Sequence, residues 1–359
     1  MSSALSKAEP TTIRPENVTC VTVTYGDRRA LLHQVLDELL RQWVGKVVVV
    51  DNGSYWAVKH ELEAAYGTFV DVVTMGRNTG SAGGYAAGIR HALKLGAEYL
   101  WLLDDDNLPK QGCLATLLAA YGRLRADNPA DKLAVLAFRP EHQADVAAGV
   151  PLHRINPRRN AFYRFHLLDL PYKVLRRTSW IRHYRQRDLP AIVNLDVAPY
   201  SGLLLHRMAI EQMGLPREDF VLYADDLEYS HRLVRAGGLI ALVTAAPLED
   251  LESSWNVRSA SRSTFNVLLT QGSDFQAYYG MRNSAYFNAH CRSHGRLTFL
   301  LNRLIFLNAL AVCACLWGRK ERYRLIMEAV RDGFSGKLGI NPKFALEPRQ
   351  KSGSTAENL

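Results

Sequence analysis

Three consecutive carboxylates, Asp104-Asp105-Asp106, directly follow the apolar run from Tyr99 to Leu103. Such a run is typical of a buried strand, and burying three anions is unfavourable without compensating partners. We therefore expect the triplet at the exposed C-terminal end of a strand, where open α/β sheets bind ligands. On an extended backbone Asp104 and Asp106 point the same way and suit Mg²⁺ or Mn²⁺, whereas Asp105 points opposite. The structural alternative is an acidic turn that caps the next helix.

A second acidic pair, Asp225-Asp226, follows the run Phe220 to Ala224 and precedes a predicted helix. A carboxylate held close to a substrate hydroxyl can act as a general base. The alternative is that Asp225 or Asp226 caps the helix, with Glu228 favourable in its first turn. The pair is therefore the second candidate for catalysis.

Apolar strands alternate with helical periodicity in the first hundred residues, which predicts a doubly wound, mostly parallel α/β sheet. The predicted strands are Val18–Thr24, Val47–Val50, Val70–Val73 and Tyr99–Leu103, and the helices between them are Arg28–Trp43, Ala57–Tyr66 and Gly84–Leu95.

Further polar and glycine-rich segments end these strands at the same edge of the sheet. They are Thr24-Tyr25, the turn at Asp51 and the segment from Arg77 to Gly84. Carboxyl ends of parallel strands form a nucleotide crevice, in which Arg77 can pair with a diphosphate and glycines admit a ligand closely. The glycine segment lacks the GxGxxG spacing of a dinucleotide site.

The chain of 359 residues has 44 basic and 35 acidic side chains, a formal charge of +9. A basic excess favours polyanionic partners such as phosphates, nucleic acid or an acidic membrane surface. Five cysteines at spacings that match no disulfide or zinc framework indicate a reducing compartment.

Two regions interrupt the α/β pattern. Residues 153–187 are rich in Arg, His and aromatic side chains, which suits an anionic lipid, a saccharide or nucleic acid, or else a solvated insertion anchored by aromatics. Leu297 to Trp317 is apolar but contains Arg303, so a buried or interfacial helix is favoured over a membrane span. The predicted organisation is a disordered tail (1–15), a catalytic domain (16–260), a membrane-associating helical region (261–346) and a polar tail (347–359).

The order of these motifs resembles the inverting family 2 glycosyltransferases of the GT-A fold, most of all bacterial galactofuranosyltransferases and the related rhamnosyltransferases. The matching pieces run from about Val18 to Asn283: VTVTYGDR, VVVDNGS, GRNTGSAGGYAAG, WLLDDDNLP, PYSGLLLHR, GLPREDFVLYADDLEYSHRL and YYGMRN.

The resemblance implies a role for each matching residue. It assigns the donor nucleotide-sugar to Thr24, Tyr25, Asp51, Arg77, Asn78, Gly83, Gly84, Asp104 and Asp105. It assigns Mn²⁺ or Mg²⁺ to Asp106 and Asp104, the catalytic base to Asp226 beside Asp225, and the acceptor to Tyr223, Glu228 and Trp255. Relatives often carry a metal-binding His about two dozen residues after the base; here Pro247 to Trp255 contains none, and Glu249 or Asp250 is expected instead.

The sequence therefore predicts a metal-dependent transferase. We expect it to move a sugar from UDP-galactofuranose, or alternatively dTDP-rhamnose, to a polyprenyl-diphosphate-linked saccharide at the cytoplasmic face of the inner membrane. A non-enzymatic membrane or nucleic-acid binder is the alternative of another class. Because two separate acidic clusters would repel a polyanion, the enzyme without a nucleic-acid partner is favoured.

Overall fold

A nine-stranded mixed sheet forms the centre of the molecule, for which a computed structural model describes residues 13–175, 189–252, 263–344 and 346. Its strands are β1 (Val18–Gly26), β2 (Lys46–Ser54), β3 (Val70–Thr74), β4 (Tyr99–Asp104), β5 (Asn107–Pro109), β6 (Leu133–Phe138), β7 (Ile192–Leu195), β8 (Leu203–His206) and β9 (Leu239–Asp250). They are ordered β3-β2-β1-β4-β8-β6-β9-β5, and β7 also pairs with β9.

The first four strands are parallel, as the alternation of strands and helices predicts. The second half of the sheet is mixed: β8 runs antiparallel between β4 and β6, and β5 and β7 run antiparallel to β9. Parallel neighbours need a crossover connection. Because β7 and β8 follow the insertion instead of a single crossover helix, this part of the sheet departs from the parallel prediction.

Helices cover both faces of the sheet and form a separate region at its C-terminal side. They are α1 (Arg29–Arg41), α2 (Val58–Tyr66), α3 (Gly80–Lys94), α4 (Cys113–Leu124), α5 (Ala144–Ala147), α6 (Leu170–Leu175), α7 (Arg207–Met213), α8 (Asp225–Arg235), α9 (Thr264–Thr270), α10 (Asp274–His290), α11 (Arg296–Leu316) and α12 (Lys320–Phe334). One apolar core joins α1, α2 and α4 to the sheet, and another joins α3, α7 and α8 to its opposite face.

Helix α3 begins four residues earlier than predicted, at Gly80 instead of Gly84. A Cβ atom at Gly84 would lie 2.7 Å from Cγ1 of Val23, and one at Gly88 would lie 2.6 Å from Cγ1 of Val21. The glycines therefore let the helix lie against β1. This tertiary packing outweighs the low helix propensity of glycine.

A third apolar core holds helices α9 to α12 together and includes the aromatic residues of the insertion. Phe162, Tyr163 and Phe165 each contact the ring of Phe306 on α11. The described half of the insertion is therefore anchored to the helical region, in line with the structural alternative for its aromatic residues. Residues 176–187 of the insertion, most of both predicted tails and the predicted domain boundary near 260 lie outside the described residues.

Candidate active site

The C-terminal ends of β1, β2 and β4 bring together several of the predicted site residues. Thr24 pairs in register with Asp51, and Val23 pairs with Asp104. The Asn52 side chain accepts hydrogen bonds from the backbone and hydroxyl of Thr79, both at 2.9 Å, and donates to the carbonyl of Gly80. Asn52 therefore ties the end of β2 to the start of α3. The predicted nucleotide edge is thus held together by buried polar residues, with Asp51 and Asp104 partly exposed along it.

Arg28 forms ion pairs with two carboxylates of the acidic triplet. Its Nε donates to Asp105 at 2.7 Å, its Nη2 lies 2.9 Å from Asp106, and it also pairs with Glu252. Burial raises the pKa of Asp105 to about 6 despite this cation. Burial, and then repulsion from Asp104 and Asp105, raises the pKa of Asp106 to about 7. The triplet is therefore a site of incompletely compensated negative charge.

The three carboxylates do not alternate as an extended strand would require. Strand β4 ends at Asp104, and Asp105 and Asp106 form a turn before β5. Asp105 and Asp106 consequently share Arg28, whereas Asp104 accepts from Tyr85 at 2.7 Å and from Ser201. The sequence predicts that the side chains of Asp104 and Asp106 point the same way along a strand. The structure does not follow this pattern, because β4 ends at Asp104 and the other two aspartates lie in a turn.

The oxygen atoms of Asp105 and Asp106 fit a divalent cation that is completed by substrate phosphates. Mg²⁺ commonly uses one or two carboxylates together with phosphate oxygens. Oδ2 of Asp105 is buried and has no hydrogen-bond partner. Among the described residues no group of three His, Cys, Asp or Glu side chains is arranged to hold a metal by itself. The protein atoms alone therefore supply only part of a coordination shell.

The structure does not support the predicted role of Asp250 as a metal ligand, because other side chains occupy its carboxylate oxygens. Its carboxylate accepts from Arg139 at 2.6 Å, lies 3.2 Å from His142 and accepts from Asn107 at 2.8 Å. The pKa of Asp250 is lowered because these partners outweigh the effect of burial. Both oxygens are thus engaged by cationic or amide groups. Glu249, the other candidate, pairs with Lys110 at the surface.

A cavity of about 410 Å³ lies between the sheet and the helical region. The end of β4, the start of α8 and helix α10 all contribute to its wall. Its polar lining includes Ser81, Tyr85, Asp104, Tyr200, Ser201, Tyr223, Asp225, Asp226, Gln276 and Arg322. The cavity therefore brings the second acidic pair and Asp104 to one place, although 120 residues of sequence separate them.

Asp225 and Asp226 occupy this cavity in different ways. Asp225 is 2% exposed and accepts from the Ser81 hydroxyl at 2.9 Å. Asp226 is partly exposed, and one of its oxygens accepts from the backbone of Leu227 at 2.8 Å. Burial raises the pKa of both carboxyls, and the charge of Asp225 is the next cause for Asp226. Asp226 is therefore the member of the pair that a bound hydroxyl can reach.

A strained loop leads into this pair. Val221, Tyr223 and Ala224 have φ values of +67°, +67° and +58°, which is the left-handed region that non-glycine residues rarely occupy. Such residues cost about 1–3 kcal/mol each and persist only where the surroundings hold them. The loop turns the chain sharply between the short helix at Phe220 and α8. It thereby directs the first residues of α8 towards the cavity.

Several predicted site residues lie elsewhere. The carboxylate of Glu228 pairs with Arg232 at 2.6 Å, so its predicted acceptor role has a structural alternative. Gly83 and Gly84 are buried in the first turn of α3, where Gly84 faces β1 instead of a ligand. Arg77 is exposed beside the turn at Gly53. Trp255 lies outside the described residues.

The sequence reasoning missed other members of the site. Arg28, Tyr85, Tyr200 and Ser201 contact the acidic residues or line the cavity with them. Arg28 and Asp105 are 77 residues apart, and Ser201 and Asp104 are 97 apart. Arg28 and Ser201 lie in the segments VTVTYGDR and PYSGLLLHR, which carry the resemblance to the family. This membership was the one signal by which the sequence could have indicated them as site residues.

Comparison with known proteins identifies relatives of this chain. The family model described as "Glycosyl transferase family 2" matches residues 19–187. Galactofuranosyltransferase GlfT1 of Mycolicibacterium smegmatis is 29% identical over 228 residues, which cover 61% of this chain and 66% of that protein, slightly less than two thirds. A dTDP-rhamnosyl transferase, RfbF of Shigella flexneri, is 22% identical over 325 residues, 90% of this chain and 97% of that protein.

Among solved structures, GalNAc-T7 with UDP, GalNAc and Mn²⁺ aligns over 76% of this chain and 50% of its own, at 12% identity and a TM-score of 0.44. The architecture is mixed α/β with a C-terminal helical region, in agreement with the predicted fold class. Residues 19–187, slightly less than half of the chain, form a family 2 glycosyltransferase domain.

Proposed function

We propose that the protein transfers a sugar from a nucleotide-sugar to a saccharide hydroxyl with inversion at the anomeric carbon. The observation that carries this proposal is the shared cavity, in which Asp226 is reachable and Asp104 stands at the end of the nucleotide edge. Donor and acceptor would meet between these two carboxylates. The arrangement supplies a base on one side and a leaving-group site on the other.

In this mechanism Asp226 accepts the proton of the acceptor hydroxyl, and the hydroxyl oxygen bonds to the anomeric carbon. The bond from that carbon to the diphosphate breaks, and its electron pair leaves with the nucleoside diphosphate. Asp225 is held by Ser81, and its negative charge raises the pKa of the neighbouring Asp226. A bound Mn²⁺ or Mg²⁺ would stabilise the negative charge of the leaving diphosphate. Asp106 and Asp105 would hold it, in exchange for part of their contact with Arg28.

UDP-galactofuranose is the donor we favour, since it is implied by the galactofuranosyltransferase relatives; dTDP-rhamnose is the alternative, which the rhamnosyl transferase relative favours. A panel of nucleotide-sugars tested for transfer and hydrolysis, with Mn²⁺, Mg²⁺ and a chelator, decides between them. Release of UDP from UDP-galactofuranose alone supports the first. Release of dTDP from dTDP-rhamnose alone supports the second, and no release from any donor overturns the proposal.

The acceptor we propose is a polyprenyl-diphosphate-linked saccharide at the cytoplasmic membrane surface. Helix α11 exposes apolar residues on one face, namely Leu297, Leu300, Leu301, Leu304, Val312 and Leu316, and the exposed Asn308 interrupts this stripe. It is the one helix of the described residues with the length and composition of a membrane span, and a third of its most apolar stretch is buried. A partly buried helix with one apolar face suits binding within the membrane interface.

The described half of the insertion packs against α11 and adds exposed apolar side chains. The buried side chain of Asn302 on α11 accepts from the backbone of Leu167, and Leu168, Val174 and Leu175 are exposed. Exposed apolar residues in such numbers are typical of an interaction surface. The net charge of +9 favours an anionic lipid surface as the partner.

A further inference from the structure

The strained loop Phe220–Ala224 has an unusual set of backbone partners. Each of its carbonyl groups accepts a hydrogen bond from outside the loop. Val221 accepts from the backbone of Ala82 at 3.2 Å, and Ala224 accepts from Glu228 at 3.0 Å within α8. The carbonyls of Phe220, Leu222 and Tyr223 all accept from one side-chain amide, that of Asn283, at 2.8, 2.8 and 2.9 Å.

Asn283 belongs to α10 of the helical region, 60 to 63 residues away in sequence from these carbonyls. Its side chain is completely buried, and its oxygen accepts from Nε of Arg282 at 2.9 Å. Arg282 is 1% exposed and donates through Nη2 to the carbonyl of Phe220 at 3.1 Å. The hydrogen bond from Arg282 fixes the orientation of the amide, so that its NH₂ group faces the loop.

This arrangement has a physical reason. Left-handed residues other than glycine tend to relax, and buried carbonyls without partners are unfavourable. The NH₂ group of Asn283 reaches the carbonyls of Phe220, Leu222 and Tyr223 with its two hydrogens, so one hydrogen is shared between two acceptors. It thereby stabilises the left-handed conformation and supplies a partner to the buried carbonyls. Because the loop ends at Ala224, its conformation sets where Asp225 and Asp226 begin α8.

We propose that Asn283, oriented by Arg282, is a positioning residue that holds the Phe220–Ala224 loop in its left-handed conformation and thereby aligns the Asp225–Asp226 pair. The alignment of a base rests on the proposed glycosyl transfer. The holding of the loop does not, and it can be measured without turnover. The YYGMRN segment of the helical region would thus act on chemistry performed in the other part of the molecule.

The test is Asn283→Leu, which keeps a similar volume and removes the donors. Tyr66→Phe is the control, since it removes a long-range side-chain hydrogen bond, from Tyr66 to Asp37 at 2.8 Å, which joins α2 to α1 away from the loop. Hydrogen exchange followed by mass spectrometry should show at least about tenfold faster exchange in peptides covering 220–228 for Asn283→Leu and no change there for Tyr66→Phe. Equal exchange in both variants overturns the proposal.

Steady-state kinetics provides the second readout. Asn283→Leu should lower kcat by at least about tenfold while the dissociation constant of UDP stays within about twofold, because misplacing a base affects the chemical step. Tyr66→Phe should keep kcat within about twofold of the native protein. If Asn283→Leu lowers UDP affinity and kcat to the same extent, the residue is only structural and the proposal fails.

A rescue variant keeps the test valid if Asn283→Leu folds poorly. Glycine adopts positive φ at no steric cost, so with Ala224→Gly the loop depends less on the hydrogen bonds from Asn283. In the Asn283→Leu background, Ala224→Gly should restore kcat at least about threefold and slow the exchange of the loop. Purely additive effects would contradict the proposal. If the native protein shows no transfer activity but the variants show the expected exchange pattern, the proposed function is overturned. The role of Asn283 in holding the loop would still stand.

Discussion

Replacement of the two cavity carboxylates one at a time tests which of them is the base. Asp226 is partly exposed to the cavity, whereas Asp225 is buried and bonded by Ser81. A positioned general base contributes roughly 10²–10⁴-fold to turnover. Asp226→Asn should therefore lower kcat by about that factor, which is roughly 3–5 kcal/mol of transition-state free energy. Binding of UDP should remain, since the side chain is not placed at the nucleotide edge.

The pH profile gives a sharper signature than the loss itself. The base works only when ionised, and the pKa of Asp226 is raised first by burial and then by the charge of Asp225. Activity of the native protein should therefore fall as the pH drops through a value above that of an ordinary carboxylate. Asp225→Asn removes the neighbouring charge, so the pKa of Asp226 falls and the acidic limb moves to lower pH. A neighbouring charge changes a carboxyl pKa by roughly one to three pH units.

The assay is kcat measured from pH 4 to 9 for the native protein and both variants, with calorimetric UDP binding as the control for folding. The two expectations are separable. An acidic limb that stays in place in Asp225→Asn would refute the electrostatic coupling. Near-native turnover of Asp226→Asn, together with a large loss for Asp225→Asn, would show that the two roles are reversed.

Three further predictions concern the metal, the membrane and the packing of α3. Asp106→Ala should abolish the Mn²⁺-dependent part of UDP binding seen by calorimetry and leave the fold intact, because its side chain is partly exposed and its partner Arg28 keeps its contact with Asp105. Leu301→Glu should reduce co-sedimentation with anionic vesicles at least about fivefold, whereas Leu95→Glu, exposed to a similar extent on α3's end, should not. Gly84→Ala should destabilise the protein by about 1–3 kcal/mol, and Gly122→Ala, with open space around its Cβ, should be neutral or stabilising in thermal denaturation.

Each of these has a contrary result. Unchanged metal-dependent UDP binding in the alanine variant of the triplet would place the metal elsewhere. Equal vesicle binding of the two glutamate variants would remove the α11 stripe from the membrane surface, and retention through both high salt and alkaline carbonate would indicate an integral helix. Equal melting temperatures for the two glycine variants would show that α3 shifts freely against β1.

The sequence predicts the sheet edge well because that edge depends on local patterns. Apolar runs that stop at polar residues define β1, β2 and β4, and parallel strands must end on the same side. The placement of Asp104 and of Asp51 follows from those two facts. The antiparallel insertion of β8 does not follow, since the residues before it carry no crossover helix and strand order is a non-local property.

The side-chain partners of the acidic residues could not be predicted from the sequence, because they too are non-local. Arg28 meets Asp105 across 77 positions, and nothing in the local pattern of either segment indicates the pair. The left-handed loop is hidden as well, because Val221 and Tyr223 favour extended backbone. Hydrogen bonds from Asn283, Arg282 and the backbone of Ala82 hold the loop in its observed conformation, and these partners are distant in sequence.

The helical region lines the candidate active-site cavity, and this bears on the electrostatics of the acidic pair. Helix α10 contributes Gln276, Ala277, Gly280, Met281 and Ser284 to the cavity wall, none of which is charged. Such a wall removes water from the carboxylates and thereby raises the pKa of Asp226 towards the range useful for a base at neutral pH. The same helix carries Asn283, which holds the loop before the pair. Helix α10 therefore both lines the cavity that holds the acidic pair and bonds the loop that precedes it, which is why the proposed catalytic cavity depends on the helical region as well as on the sheet.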